Sequence, residues 1–191
     1  MHFTEFIRPY ITELLNEELP IYFYWDRLIH IDQPYVVYQT EDLDLPDKLD
    51  VTYSRLLNNA VKVYDYSLMN LAYNEFEFKP LMPKLDSTYS ELDKEIDVLF
   101  YGLVTPRRRL IIDQLNMNVC IKENLTLDEM KYLIPRSKWI LSIGSSSNIH
   151  NDLLRTALAL DLGGNIMLES TQETWYDDFL KQNFLTRIQF I

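Results

Sequence analysis

The stretch Asp97-Val98-Leu99-Phe100-Tyr101-Gly102, followed closely by Thr105-Pro106-Arg107-Arg108-Arg109, decides the fold. Val98 to Tyr101 is an unbroken apolar run, the pattern of a strand covered on both faces, and Gly102 closes it. Thr105 then offers an N-cap, and Pro106 is the favoured first residue of a helix. A buried strand that turns directly into a helix is the opening of a βα unit.

The alternation continues downstream. Leu110, Ile111 and Leu115 are expected to form the buried stripe of the first helix. Asn118-Val119-Cys120-Ile121 reads as the next strand. Thr126-Leu127-Asp128-Glu129 is a capping box, and Met130, Leu133 and Ile134 carry that helix to Pro135. Trp139-Ile140-Leu141-Ser142-Ile143 is a third strand. A polar turn, Gly144 to Asn148, leads into a helix with Leu153, Ala157 and Leu160 on one face, ended by Gly163-Gly164. Asn165-Ile166-Met167-Leu168 is a fourth strand. Strands alternating with helices at this spacing predict a parallel sheet with right-handed crossovers. The expected fold is α/β and Rossmann-like over Asp97 to Ser170.

Upstream the pattern is less regular. An amphipathic stretch from Pro9 to Asn16 is ended by Pro20. Ile21 to Trp25 and Tyr35 to Gln39 have strand composition, Val51 to Asn59 looks helical, Val61 to Tyr64 is strand-like, and Leu68 to Phe76 is helix-like. The acidic segment from Glu41 to Asp50 reads as a loop. Lys79 to Asp93, with Pro80 and Pro83, reads as a linker. Two lobes are therefore expected, a short one over 1–92 and a Rossmann-like one over 93–191.

Composition narrows the partners. The 191 residues carry a formal charge of -11, which argues against nucleic acid and against anionic lipid. The single cysteine forms no internal disulfide, and Cys120 reads as a structural residue of a buried strand. No signal peptide and no span of transmembrane length is expected, and the reading is a cytoplasmic protein. The 13 tyrosines suit core and interface packing, with a polar-aromatic cleft for sugars as the functional counterpart.

In parallel sheets, ligands bind beyond the carboxyl ends of the strands. Two turns qualify. In the first, Tyr101 and Gly102 allow close backbone approach, and Arg107 and Arg108 on the first helical turn can grip phosphate. Positive charge at a helix N-terminus is disfavoured by the helix dipole, and an anion there relieves the conflict; pairing with the chain's many carboxylates does so too. In the second, Ser145, Ser146 and Asn148 form a neutral anion cradle, one of them serving as an ordinary cap. Glu169, at the end of the fourth strand, is positioned to accept from sugar or ribose hydroxyls. No G-x-G-x-x-G, no P-loop motif and no G-x-S-x-G elbow is present. His2, His30 and His150 lack ligand spacing, and no metal site is expected. Proton acceptors for a transfer reaction come from Asp26, His30, Asp32, Glu41, Asp42 and Asp65. Glu41 and Asp65 stand out because they follow strand-like runs and so reach a carboxyl edge.

The run from Asp97 to Gly102 with Pro106-Arg107-Arg108 resembles the start of the C-terminal lobe of GT-B-like glycosyltransferases of bacteria and large DNA viruses. The similarity extends through Leu133-Ile134-Pro135-Arg136-Ser137-Lys138-Trp139-Ile140-Leu141-Ser142-Ile143, and upstream to Tyr35-Val36-Val37-Tyr38-Gln39-Thr40-Glu41 and Val63-Tyr64-Asp65-Tyr66-Ser67 with Asn70. The resemblance implies a compact GT-B-like arrangement in which the C-terminal lobe holds a UDP- or GDP-linked sugar and a reduced N-terminal lobe meets a glycan acceptor. The implied activity is metal-independent, inverting transfer to a hydroxyl, with Glu41 or Asp65 as general base and no cofactor beyond the nucleotide-sugar. One departure stands out: Arg155 or Thr156 occupies the place where many such enzymes carry a glutamate. That departure and the short front lobe favour an alternative, a catalytically inactive Rossmann-like binding or assembly protein. A module of a larger multi-domain transferase also fits the short front lobe.

Overall fold

The computed structural model describes residues 8, 11–13, 15–40, 49–72, 76–83, 92–144, 153–171 and 174–191. The chain divides into two compact units, His2–Leu81 and Met82–Ile191. The division falls inside the Lys79–Asp93 segment, ahead of residue 92. Among the described residues the strands form two sheets, both wholly parallel, and the fold is α/β and Rossmann-like in character.

The first unit contains β1 (Ile21–Tyr22), β2 (Val36–Gln39), α1 (Val51–Asn59), β3 (Lys62–Asp65) and β4 (Glu77–Phe78). Its sheet order is β1-β2-β3-β4, so each strand lies beside its neighbour in sequence. Asp50 starts α1 by accepting from the Tyr53 amide at 2.7 Å. Tyr53, Leu56 and Leu57, at helical spacing, pack on Tyr24, Tyr35 and Val37 of the core. The tyrosines are packing residues here, with their polar tips satisfied. Tyr35 donates to the Leu56 carbonyl, Tyr38 to the Lys79 carbonyl and Tyr53 to Gln39. The expected strand from Ile21 to Trp25 is cut short at Tyr22. Asp26 accepts from the Phe23 amide at 2.9 Å and closes a single 3-10 turn there. Of the expected helix from Leu68 to Phe76, the described residues form a 3-10 turn, Met69–Ala72, and residues 73–75 lie outside the described residues.

The second unit runs β5 (Ile96–Tyr101), α2 (Pro106–Gln114), β6 (Val119–Lys122), α3 (Leu127–Leu133), β7 (Ser137–Ser142), α4 (Leu153–Asp161), β8 (Ile166–Leu168), α5 (Thr174–Phe184) and β9 (Ile188–Phe190). The order is β6-β5-β7-β8-β9. The apolar run places β5 in the interior, with Val98, Leu99, Phe100 and Tyr101 all buried. Thr105 caps α2 and Thr126 caps α3 with a complete capping box. Gly163, with φ +79°, ends α4. Its amide donates to Leu160 O and that of Gly164 to Ala159 O, the paired bonds of a Schellman ending.

Three expectations are corrected. Leu110 is 60% exposed and does not belong to the buried stripe of α2. At 100° per residue, Arg108, Ile111, Ile112 and Leu115 share the inward face, and Leu110 lies away from it. Cys120 is only half-buried, because β6 is an outer strand of its sheet. The unit also extends past Ser170: Tyr176, Leu180 and Phe184, four residues apart, bury one side of α5, and β9 then pairs with β8. Among the described residues no helix is long and apolar enough to cross a membrane.

Candidate functional site

The two sheets offer different opportunities. The first adds strands in one direction only. In the second, the chain leaves β5 for β6 on one side and returns to β7 on the other. A crevice opens between neighbouring strands whose crossovers diverge in this way, at their carboxyl ends. The ends that meet there are Tyr101-Gly102 of β5 and Ser142-Ile143-Gly144 of β7, with Glu169 one residue past β8.

Gly102 has φ +123°, a conformation that a side chain rarely tolerates. A Cβ there would stand 3.0 Å from Nη2 of Arg155. The glycine therefore lets a guanidinium from α4 lie against the end of β5. Arg155 is 8% exposed, and its guanidinium lies 5.5 Å from the Phe100 ring centre and 5.3 Å from that of Tyr101.

Arg107 and Arg108, on the first turn of α2, have separate tasks. Arg108 is also 8% exposed and donates from Nε to Ile143 O (3.1 Å) and from Nη1 to Leu103 O (2.8 Å). It thus ties the turns after β5 and β7 together. Arg107 points to the strand ends. Its Nη1 donates to the Gly144 carbonyl and to Glu169 Oε2, both at 3.0 Å, and its Nη2 donates to Glu169 Oε1. The Gly144 amide donates to the same Glu169 Oε2 at 3.0 Å. This bidentate pairing raises the Arg107 pKa above its ordinary value, against the opposing effect of burial. It also offsets the unfavourable position of a cation at a helix N-terminus. Pro106 has no amide hydrogen and Thr105 accepts from the Arg108 amide, so guanidinium groups supply most of this turn's donor capacity.

The structure therefore brings together Tyr101, Gly102, Arg107, Arg108 and Glu169 at one strand edge. Arg155 joins them. Its signal in the sequence is a lone charge within the otherwise uncharged run Leu153-Leu154-Arg155-Thr156-Ala157. Ser145, Ser146 and Asn148 lie outside the described residues, as do Glu41 and Asp42.

Asp65 ends β3 and belongs to the first unit. It is fully buried. Its Oδ1 accepts from the Ser67 amide (2.8 Å) and Asn70 Nδ2 (3.2 Å), and its Oδ2 from Gln39 Nε2 (3.2 Å). Gln39 in turn accepts from Tyr53 at 3.0 Å. These bonds fix the turn after β3 and join the ends of β2 and β3. Among the other candidate acceptors, Asp26 pairs with Arg8 at 2.9 Å, and His30 and Asp32 face each other at 2.6 Å on the surface.

One relative bears on this chain. An uncharacterized protein of Acanthamoeba polyphaga mimivirus is 26% identical over 169 residues, covering 81% of this chain and 54% of its own length. The chain thus spans about half the length of that relative. No family model matches the sequence, and no solved structure matches it.

Proposed function

We propose that the second unit binds the diphosphate of a UDP- or GDP-linked sugar, and that the protein is a metal-independent, inverting glycosyltransferase. What supports the binding half is one observation: Arg107, Arg108 and Arg155 converge on the edge where the strand order reverses, beside a glycine that permits close approach. The diphosphate lies against Arg107, the turn after Gly102 and the Gly144 amide, with Ser145, Ser146 and Asn148 as its further donors. Tyr101 and Glu169 take the nucleoside end, Glu169 accepting from ribose hydroxyls. Cationic groups at this point also stabilise the departing nucleoside diphosphate as its charge develops. Glu41, beyond the end of β2, removes the acceptor proton from a glycan hydroxyl. A cytoplasmic location, where such donors are made, goes with this reading.

Isothermal calorimetry with UDP and GDP tests the binding half. Arg107→Ala removes the guanidinium that Glu169 and the Gly144 carbonyl hold at the strand ends, and is expected to lower affinity at least tenfold in a protein that still unfolds cooperatively, with a lower Tm from the unpaired Glu169. Arg108→Ala leaves the Ile143 and Leu103 carbonyls without their donor, and is expected to cost about 1–3 kcal/mol of stability. Undiminished affinity in Arg107→Ala rejects the diphosphate site.

The enclosure of Asp65 favours a second reading, a binding or assembly protein without catalysis. A carboxylate that accepts from Gln39, Ser67 and Asn70 and is closed to solvent is poorly suited to receive a proton from an arriving hydroxyl. Hydrolysis or transfer of the sugar from UDP- or GDP-linked donors supports the enzyme. Nucleotide binding with neither reaction supports the binding protein.

A further inference from the structure

Glu169 sits where the ligand's anion belongs. Its carboxylate, 14% exposed, engages both terminal nitrogens of Arg107 and the amide of Gly144. Those donors come from two elements, the first turn of α2 and the turn after β7, which meet only at the reversal of strand order. Its own amide donates to Ser142 O at 3.0 Å, so the backbone fixes the residue beside the donors it occupies.

Any ligand that takes these donors must displace a tethered carboxylate. Tethering gives that carboxylate an effective concentration on the order of millimolar or higher. An incoming carboxylate offers the same two oxygens and the same charge, and it lacks the tether. A phosphoryl group brings three acceptor oxygens and a greater negative charge, which suits two donor elements at once.

We propose that Glu169 is a specificity-determining residue, an internal competitor that holds the anion site closed to carboxylates and yields it to phosphoryl groups. The inference rests on the diphosphate-binding reading above. Once displaced, the side chain is available to the ribose hydroxyls of the same ligand.

The test compares the intact protein with Glu169→Gln, using inorganic pyrophosphate and malonate as probes in calorimetry. Glutamine keeps the size and removes the competing charge. The expected result is about tenfold tighter pyrophosphate binding by Glu169→Gln, in line with loss of a tethered competitor. Malonate binding is expected in Glu169→Gln and not in the wild type. Equal or weaker pyrophosphate binding by a folded Glu169→Gln overturns the inference while leaving the diphosphate site standing. Absence of pyrophosphate, UDP and GDP binding from both proteins overturns the site and the inference together. A measurement on the wild type guards against a variant that fails to fold: the carboxyl carbon resonance of Glu169 is expected to shift as pyrophosphate saturates. A resonance that stays fixed while pyrophosphate binds also overturns the inference.

Discussion

Gly102 carries two constraints at one position, a φ of +123° and the Arg155 guanidinium where a Cβ would point. Gly102→Ala therefore meets backbone strain and a displaced cation together. The expected cost is about 1–3 kcal/mol, read as a lower Tm, together with weaker UDP binding because Arg155 must move. A variant as stable as the wild type would show that the turn relaxes around a side chain. Much at this scale was legible in advance. Gly102, Arg107, Arg108 and Glu169 were recognisable from strand-end and helix-start positions. The phase of α2 was not, because the three consecutive arginines are chemically identical on the page. Rotation by 100° per residue turns Arg108 inward to the Ile143 and Leu103 carbonyls, and Leu110 outward. The pairing of Arg107 with Glu169 was also hidden, since it joins residues 62 positions apart.

Element boundaries followed local chemistry wherever a cap was present. Asp50 sets the start of α1, and its carboxylate is held below the usual range chiefly by the Tyr53 amide, with Arg27 adding to the effect. A depressed carboxyl pKa stabilises the fold above the unfolded value, near 4, and that contribution is lost as pH falls through the folded value. Asp50→Ala is expected to cost about 1 kcal/mol at neutral pH, measured by urea denaturation. Asp50→Asn retains a capping oxygen, so its stability should fall less steeply than the wild type's as the medium is acidified. An identical acid limb in the two proteins removes Asp50 from the titration. Where no cap announced an element, the sequence was harder to read. The Ile21-Tyr22-Phe23-Tyr24-Trp25 run has strand composition throughout, yet Asp26 reaches back to the Phe23 amide and turns the chain. Short-range hydrogen bonding of an aspartate overrode the propensity of five aromatic and β-branched residues. In α5 the signal was present, since Tyr176, Leu180 and Phe184 recur every four residues on its buried side.

At the scale of the molecule, Tyr101, Gly102, Arg107, Arg108, Gly144, Arg155 and Glu169 all lie in the Met82–Ile191 unit. Residues 82–191 expressed alone are therefore expected to bind UDP with an affinity within about threefold of the full chain, a difference well under 1 kcal/mol. Complete loss of binding would assign part of the site to residues before Met82. The parallel character of the second sheet was legible from alternation alone; the strand orders of the two sheets were not. Periodicity shows that a strand exists and says nothing of which neighbour it takes. The reversal in the second sheet has a kinetic consequence. Within each sheet, most strands pair with the strand next to them in sequence, whereas β7 reaches past β6 so that Trp139 lies beside Val98. That is the most non-local pairing of the two sheets, and closing so long a segment before its contacts form is slow. The crevice that would receive a nucleotide is thus made by the strand contact whose closure costs the chain most entropy. The amide of Ile96, which donates to the Arg136 carbonyl across that pairing, should accordingly gain protection from hydrogen exchange after those of β3 during refolding.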